Sequence, residues 1–204
     1  MTSLTRFIKY GRTGQSYNKI KMARSSLLKT KRLIIRPFTK KYLTERYVSW
    51  LNDPLVVKFS DQRYRKHFLR GCRDYMKSFD KSPNYFWAIE AKDKKIGHIG
   101  NINTYVDIKN NTADLGILLG ERSVWGCGYA YEAWMAVIDY LLRKKGIRKI
   151  TAGTLSVNRN MLNLMKRSGM ASDGIRKKHC IFEGREVDLV YSALFNNEGK
   201  RHNG

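Results

Sequence analysis

The first 44 residues of this chain contain no acidic residue at all; the first is Glu45. The same stretch carries twelve basic ones, Arg6, Lys9, Arg12, Lys19, Lys21, Arg24, Lys29, Lys31, Arg32, Arg36, Lys40 and Lys41. Over all 204 residues, 40 lysines and arginines face 17 acids, for a formal charge of +23. A charge of that size points first to nucleic acid or an anionic surface. Its concentration at one end weakens that reading. Residues 1–26 have little periodic hydrophobicity, so they are expected to form a solvated, disordered arm, and nucleic acid is not expected as a partner. Met22 offers an alternative start that would leave residues 1–21 outside the protein.

Long apolar runs are missing too. No stretch approaches the roughly 18 apolar residues of a membrane span, and the N-terminus has no apolar secretory block, so a cytoplasmic protein is expected. Cysteine is scarce: Cys72, Cys127 and Cys180 are odd in number and far apart, which excludes a disulfide framework and a metal-ligand cluster. They read as free thiols, and no metal is expected. What remains, at 42% hydrophobic residues, suffices for one domain with a substantial core.

Along the chain, Leu33-Ile34-Ile35-Arg36-Pro37 reads as a short strand. A helix capped by Thr39 is expected over 39–51, with Tyr42, Leu43, Tyr47, Trp50 and Leu51 on one stripe, followed by another over 68–79. Residues 85–90 and 96–102 form a hairpin, and a polar turn at 107–112 returns the chain to a strand over 113–119. The clearest helix starts near Tyr129. Its apolar stripe runs Ala130, Ala133, Trp134, Val137, Ile138, Leu141 and Leu142, and Gly146 supplies its stop. A strand over 149–155, a short helix over 160–168 and a last hairpin over 175–182 and 187–194 complete an α/β layout on one mixed, largely antiparallel sheet of six or seven strands flanked by helices. The tail 196–204 is expected to fray.

Between the strand at 113–119 and the helix at Tyr129 lies Trp125-Gly126-Cys127-Gly128-Tyr129-Ala130-Tyr131-Glu132-Ala133. Glycines let backbone N–H groups face a ligand, and the unpaired amides of a new helix add positive potential, so the stretch reads as a cradle for a phosphate-bearing group.

With this loop after a strand, Asn158 leading a short helix that ends at Gly169-Met170, and a closing hairpin, the chain resembles the GNAT superfamily of acyl-CoA N-acyltransferases over roughly residues 31–194, within a domain expected over 27–195, in its RimJ/RimL-type branch. The resemblance implies a GNAT fold splayed between the strands at 113–119 and 149–155. Acetyl-CoA would be the co-substrate, its diphosphate on the backbone of Trp125, Gly126, Cys127, Gly128, Tyr129 and Ala130, its pantetheine along Leu118 and Leu119 and beside Asn158. Trp125 stands where the family pattern has Arg or Gln, so the grip on phosphate would rest on backbone. Met161 and Met165 replace the usual Ser or Ala and the Tyr that protonates the thiolate, so no general acid carries over.

Acetyl transfer requires a neutral amine, hence a base, and donors for the oxyanion. Asp114 is the first candidate base, His98 the second and Glu90 the third, while Glu132 in the first helical turn suits the helix dipole. For the acceptor, Trp50, Asn52, Arg63 and His67 resemble a branch acting on amino-sugar nucleotides: a flat aromatic, a carboxamide, a guanidinium and an imidazole could hold a base, hydroxyls and a diphosphate. The expectation is direct N-acetylation of a small amine on a nucleotide-linked sugar, by a monomer or a homodimer, with Cys127 outside the chemistry. The rivals are a ribosomal-protein-type N-terminal acetyltransferase and a non-enzymatic RNA-binding module of the same fold.

Overall fold

The computed structural model describes residues 26–196. The arm before Ser26 and the tail beyond Asn196 lie outside the described residues. Eight strands form one sheet: β1 (Leu28–Lys29), β2 (Leu33–Pro37), β3 (Tyr85–Ala91), β4 (His98–Asp107), β5 (Thr112–Leu119), β6 (Lys149–Leu155), β7 (Ala171–Phe182) and β8 (Arg185–Phe195), in the order β1-β2-β3-β4-β5-β6-β8-β7. The strand beyond the expected six or seven is β1, a two-residue ribbon along β2.

All pairings are antiparallel except β5 with β6, which is parallel and lasts only three residue pairs, Thr112–Lys149, Ala113–Ile150 and Asp114–Thr151. Beyond Asp114, β5 stays with β4 as far as Leu119, and β6 stays with β8 as far as Leu155. The two halves of the sheet therefore part, and the backbone edges of Leu115–Leu119 and of residues 152–155 face a gap.

Four helices cover the two faces: α1 (Glu45–Asn52), α2 (Leu69–Lys77), α3 (Tyr129–Asp139) and α4 (Arg159–Arg167). On one face Trp87, Ile89, Ile102, Leu115 and Ile150 pack against Trp134, Val137 and Leu141, all at 2% exposure or less. The Trp134 indole donates to Ser168 Oγ at 3.2 Å, which fastens α3 to the end of α4. On the other face Phe86 and Ala88 meet Phe38, Tyr42, Tyr47 and Trp50 from the α1 region.

Thr39 does not cap α1. Lys40–Tyr42 make a single 3₁₀ turn, Leu43 leaves helical geometry at ψ 77°, and Thr44 accepts from Tyr47 N at 3.2 Å to start α1 anew. Both threonines have an extended chain, but only the Thr44 side chain accepts an N–H of the turn that follows, so the helix starts there. The stripe expected to run straight to Leu142 instead passes into a π-helical turn at Tyr140–Lys144, which buries both Tyr140 and Leu141. The last hairpin is longer than expected, with β7 starting at Ala171 and lying exposed at the sheet's end.

Gly120 follows β5, and a Cβ there would lie 2.0 Å from the Trp50 ring, itself 6% exposed. Gly120→Ala should therefore lower stability by about 2 kcal/mol or more, the scale of an overpacked core. Urea unfolding should show a lower midpoint with an unchanged slope.

Candidate active site

The loop that opens α3 is built from its first residue. Gly120 N and Glu121 N both donate to the Ile99 carbonyl, at 2.9 and 3.0 Å, which ends β5. Glu121 then caps the 3₁₀ turn Arg122–Val124 by accepting from Ser123 N and Oγ, and it also pairs with Arg46. Those hydrogen bonds, Ser123's first and then Arg46's, pull the Glu121 carboxyl down to about 2. Trp125 spends its one side-chain donor on the Leu119 carbonyl at 2.9 Å and its backbone N–H on the Arg122 carbonyl at 3.1 Å. Gly126 (φ +76°) and Gly128 (φ +80°) then take left-handed backbone, and Gly128 stands as the helix N-cap with no side chain in the way.

The consequence is a row of free donors. Among the described residues, the N–H groups of Gly126, Gly128, Tyr129, Ala130 and Tyr131 find no acceptor, and a Cβ on Gly126 would meet nothing within 4 Å. Open space lined by unpaired amides at a helix N-terminus fits a diphosphate. Cys127 is exposed in this loop, its thiol 3.7 Å from the Trp125 carbonyl.

Arg32, counted in sequence only as one more charge of the basic end, reaches the same loop. Its Nε donates to Glu132 Oε2 at 2.6 Å, its backbone N to Oε1 at 2.7 Å, and its Nη1 to the Cys127 carbonyl at 2.8 Å. Thr30 Oγ1 adds a bond of 2.6 Å to Glu132. Burial would raise the Glu132 carboxyl, but these hydrogen bonds outweigh it and hold the group below its ordinary range.

At the closed end of the gap, Asp114 Oδ2 accepts from Thr151 Oγ1 at 2.9 Å. Opposite Asp114 on β4 is Tyr105, whose hydroxyl is 2.9 Å from that of Tyr75 on α2, so this cluster faces the α1/α2 side. One step further into the gap, two glycines stand on its two walls. A Cβ on Gly116 would lie 2.9 Å from Asn103 Oδ1, and one on Gly153 would lie 2.9 Å from the Tyr191 ring. Asn103 and Tyr191 thus lean over the strand edges from either flank. Burial pushes the Tyr191 hydroxyl up, with Arg176 lowering it and Asp114 raising it.

His98 is not part of that cluster. It lies seven residues along β4 from Tyr105, roughly 20 Å at strand spacing. There its ring sits among Phe38, Tyr42, Tyr47 and Trp50, with Nε2 donating to the Gly100 carbonyl at 2.9 Å. Burial holds its pKa down to about 4. Glu90 is bound to Arg36 and Lys41. Asn158 caps α4, accepting from Met161 N at 3.2 Å and donating to Thr154 Oγ1 at 2.9 Å, while Met165 is buried in the core.

Of the acceptor-side residues, Trp50 packs in the core beneath Arg46. Asn52 and His67 exchange a reciprocal pair of bonds, Asn52 Nδ2 to the His67 carbonyl and His67 N to Asn52 Oδ1, both 2.9 Å, which tie the 60–67 loop to the end of α1. Arg63 donates to the Ser60 carbonyl at 2.9 Å and lies 5.8 Å from the Phe182 ring. Between this loop and the tip of the β7–β8 hairpin is a cavity of about 360 Å³. Lys58, Arg63, Arg65 and Lys66 line it against a single acid, Glu183. The structure brings Asn52 and Arg63 to this cavity and leaves Trp50 and His67 behind it.

Residues 32–171 match the acetyltransferase (GNAT) domain family. The match covers more than half of the chain, and the protein belongs to that family. The uncharacterized N-acetyltransferase p20 of Bacillus licheniformis is 27% identical over 154 residues, covering 72% of this chain and 84% of that protein. The GNAT-family acetyltransferase structure from Bacillus anthracis superposes with a TM-score of 0.72 at 21% identity, covering 85% of this chain and all of that one. The spermidine N-acetyltransferase of Vibrio cholerae, whose structure contains CoA and spermine, superposes with a TM-score of 0.72 at 14% identity over 82% of this chain and 97% of that one. The GNAT fold and an acetyl-transferring enzyme are thereby established. Among the described residues no helix is long and apolar enough to cross a membrane.

The depressed pKa of His98 has a stability consequence. Between about pH 6.5 and 4 the unfolded chain binds a proton at this ring that the folded chain does not, so stability falls as the pH is lowered through that window. The full loss is on the order of 3 kcal/mol. His98→Phe should lose less stability than the parent between pH 7 and 4.5, as read from urea midpoints at the two pH values.

Proposed function

We propose that the protein transfers acetyl from acetyl-CoA directly to the amino group of a nucleotide-linked amino sugar. The observation that carries the acceptor is the cationic cavity beside α1. Lys58 is paired with Glu183 and Arg63 lies 3.9 Å from Asp61, and the remaining excess of positive charge, with Arg65 and Lys66, favours a sugar diphosphate over a polyamine or a basic peptide N-terminus. The donor side rests on the five free amides of the α3 loop, on which a diphosphate fits, and on the open strand edges of the gap, which suit pantetheine amides.

Acetyl-CoA supplies an activated thioester; the chain's own residues hold, orient and deprotonate. Gly126, Gly128, Tyr129, Ala130 and Tyr131 offer the backbone seat, while the Trp125 and Cys127 amides are spent on the Arg122 and Val124 carbonyls; Leu118 and Leu119 offer the strand edge, and Asn158, fixed as a helix cap, a rigid wall beside it. Asp114 takes the proton of the incoming ammonium, since it sits at the closed end of the gap with one oxygen oriented by Thr151. An N–H of the open β5 edge serves the oxyanion. His98, held neutral among aromatic rings roughly 20 Å away, instead packs the α1 region. Arg63 at the cavity binds the acceptor's phosphates, and Asn52 and His67 hold its loop in place. Cys127 belongs to the diphosphate seat, so no acyl-cysteine is involved.

Free-thiol release from acetyl-CoA, followed with amino-sugar nucleotides, spermidine and basic peptides, tests the acceptor. Turnover with the anionic sugars is expected; turnover confined to spermidine or peptides overturns the reading. Arg63→Ala should raise the acceptor KM about tenfold, the scale of one charge-assisted hydrogen bond, without changing the KM for acetyl-CoA. Asp114→Asn should lower kcat by about 10²-fold or more, with CoA binding by calorimetry retained.

A further inference from the structure

We propose that Arg32 forms the side-chain half of the diphosphate site, a guanidinium carried from the bend before β2 to the mouth of the α3 loop. The proposal rests on reading that loop as the seat of the CoA diphosphate. The family's basic residue in the loop is replaced here by Trp125, whose one side-chain donor is already bound to the Leu119 carbonyl. The loop itself then supplies amides but no cation.

Arg32 is oriented on three sides. Its inner edge, Nε, is fixed by Glu132 at 2.6 Å. The guanidinium carbon stands 4.2 Å over the Tyr129 ring, which sets its plane. Its Nη1 holds the Cys127 carbonyl at 2.8 Å. The remaining nitrogen, Nη2, has no acceptor among the described residues and lies 3.5 Å from where a Cβ of Gly128 would be. It is therefore beside the free N–H groups of Gly128 and Tyr129.

Arginine–carboxylate pairs are frequently bidentate, with two nitrogens of the guanidinium fork on one carboxylate. Here Glu132 takes only Nε, because its other oxygen is occupied by Thr30 Oγ1 and by the backbone N of Arg32. The outer edge of the fork is left facing the loop. One of its nitrogens pins a loop carbonyl and the other is aimed at the phosphate position, so the amides of the cradle and the cation above it are set by the same side chain.

The test is calorimetry of the full chain with CoA and with pantetheine, which lacks the diphosphate, at about 50 and 300 mM salt. The parent should bind CoA more weakly at the higher salt. Arg32→Met, which keeps most of the aliphatic stem, should bind CoA about tenfold or more weakly at low salt, show a flatter salt dependence, and bind pantetheine as the parent does. Glu132→Gln keeps the guanidinium and should keep the parent's salt dependence. Circular dichroism and the melting temperature establish that each variant is folded; should Arg32→Met not fold, Arg32→Gln takes its place. A folded Arg32 variant with the parent's CoA affinity overturns the proposal, as does an equal loss in Arg32→Met and Glu132→Gln with the salt dependence unchanged. A parent that binds no CoA overturns the reading of the loop itself, and this proposal with it.

Discussion

The parallel pairing of β5 with β6 stops after three residue pairs, and the site depends on that stop. Each strand is committed elsewhere: β5 to β4 through Leu119, β6 to β8 through Leu155. Each strand keeps its own antiparallel ladder while the two ladders diverge beyond Asp114, so the inner edges between them stay unpaired. Unpaired backbone in a protein interior is costly unless something satisfies it. A ligand with amide groups of its own is a natural complement, and the gap thereby selects a class of molecule before any side chain is considered.

Side chains then divide the two sides of the sheet. On the α3/α4 side, the loop after β5 presents donors from backbone alone, because Gly126 and Gly128 place their N–H groups outward and Trp125 is engaged below. On the α1/α2 side, the floor is polar, with Asp114 bound to Thr151 and Tyr105 to Tyr75. Asn103 and Tyr191 close over it because the strand positions beside them are glycine. The gap is the passage between the two, and Asp114 stands at its closed end.

Much of this was legible in the sequence, and the reasons are local. The glycine loop, the α3 stripe, the cap at Asn158 and the final hairpin are written in neighbouring residues, and neighbours suffice to read them. Strand register is not local. Nothing near Asn103 says that Gly116 stands beside it, and nothing near Tyr191 announces Gly153; only the pairing of β4 with β5 and of β6 with β8 does. Arg32 was hidden differently, as one of twelve like charges whose partner Glu132 lies a hundred residues away. Even Thr39 and Thr44 show the limit: both satisfy the capping rule, and the turn at Leu43 decides between them. Trp50 was read from its flat ring as a binding group, yet tight packing against Gly120 places it in the core.

The exposed last strand has a consequence of its own. β7 ends the sheet with twelve residues, and an outer strand of that length offers a row of open amide and carbonyl groups that another strand could join. Arg176, Lys177, Lys178 and His179 stand consecutively along it, and Lys178 takes φ +48° where the pairing with β8 slips. Lys177 and Lys178 are paired with Asp188 and Glu186 of β8, so what a second strand would meet here is chiefly the kink. The slip in register therefore breaks the row of open groups midway, and a second strand could follow this edge only in part.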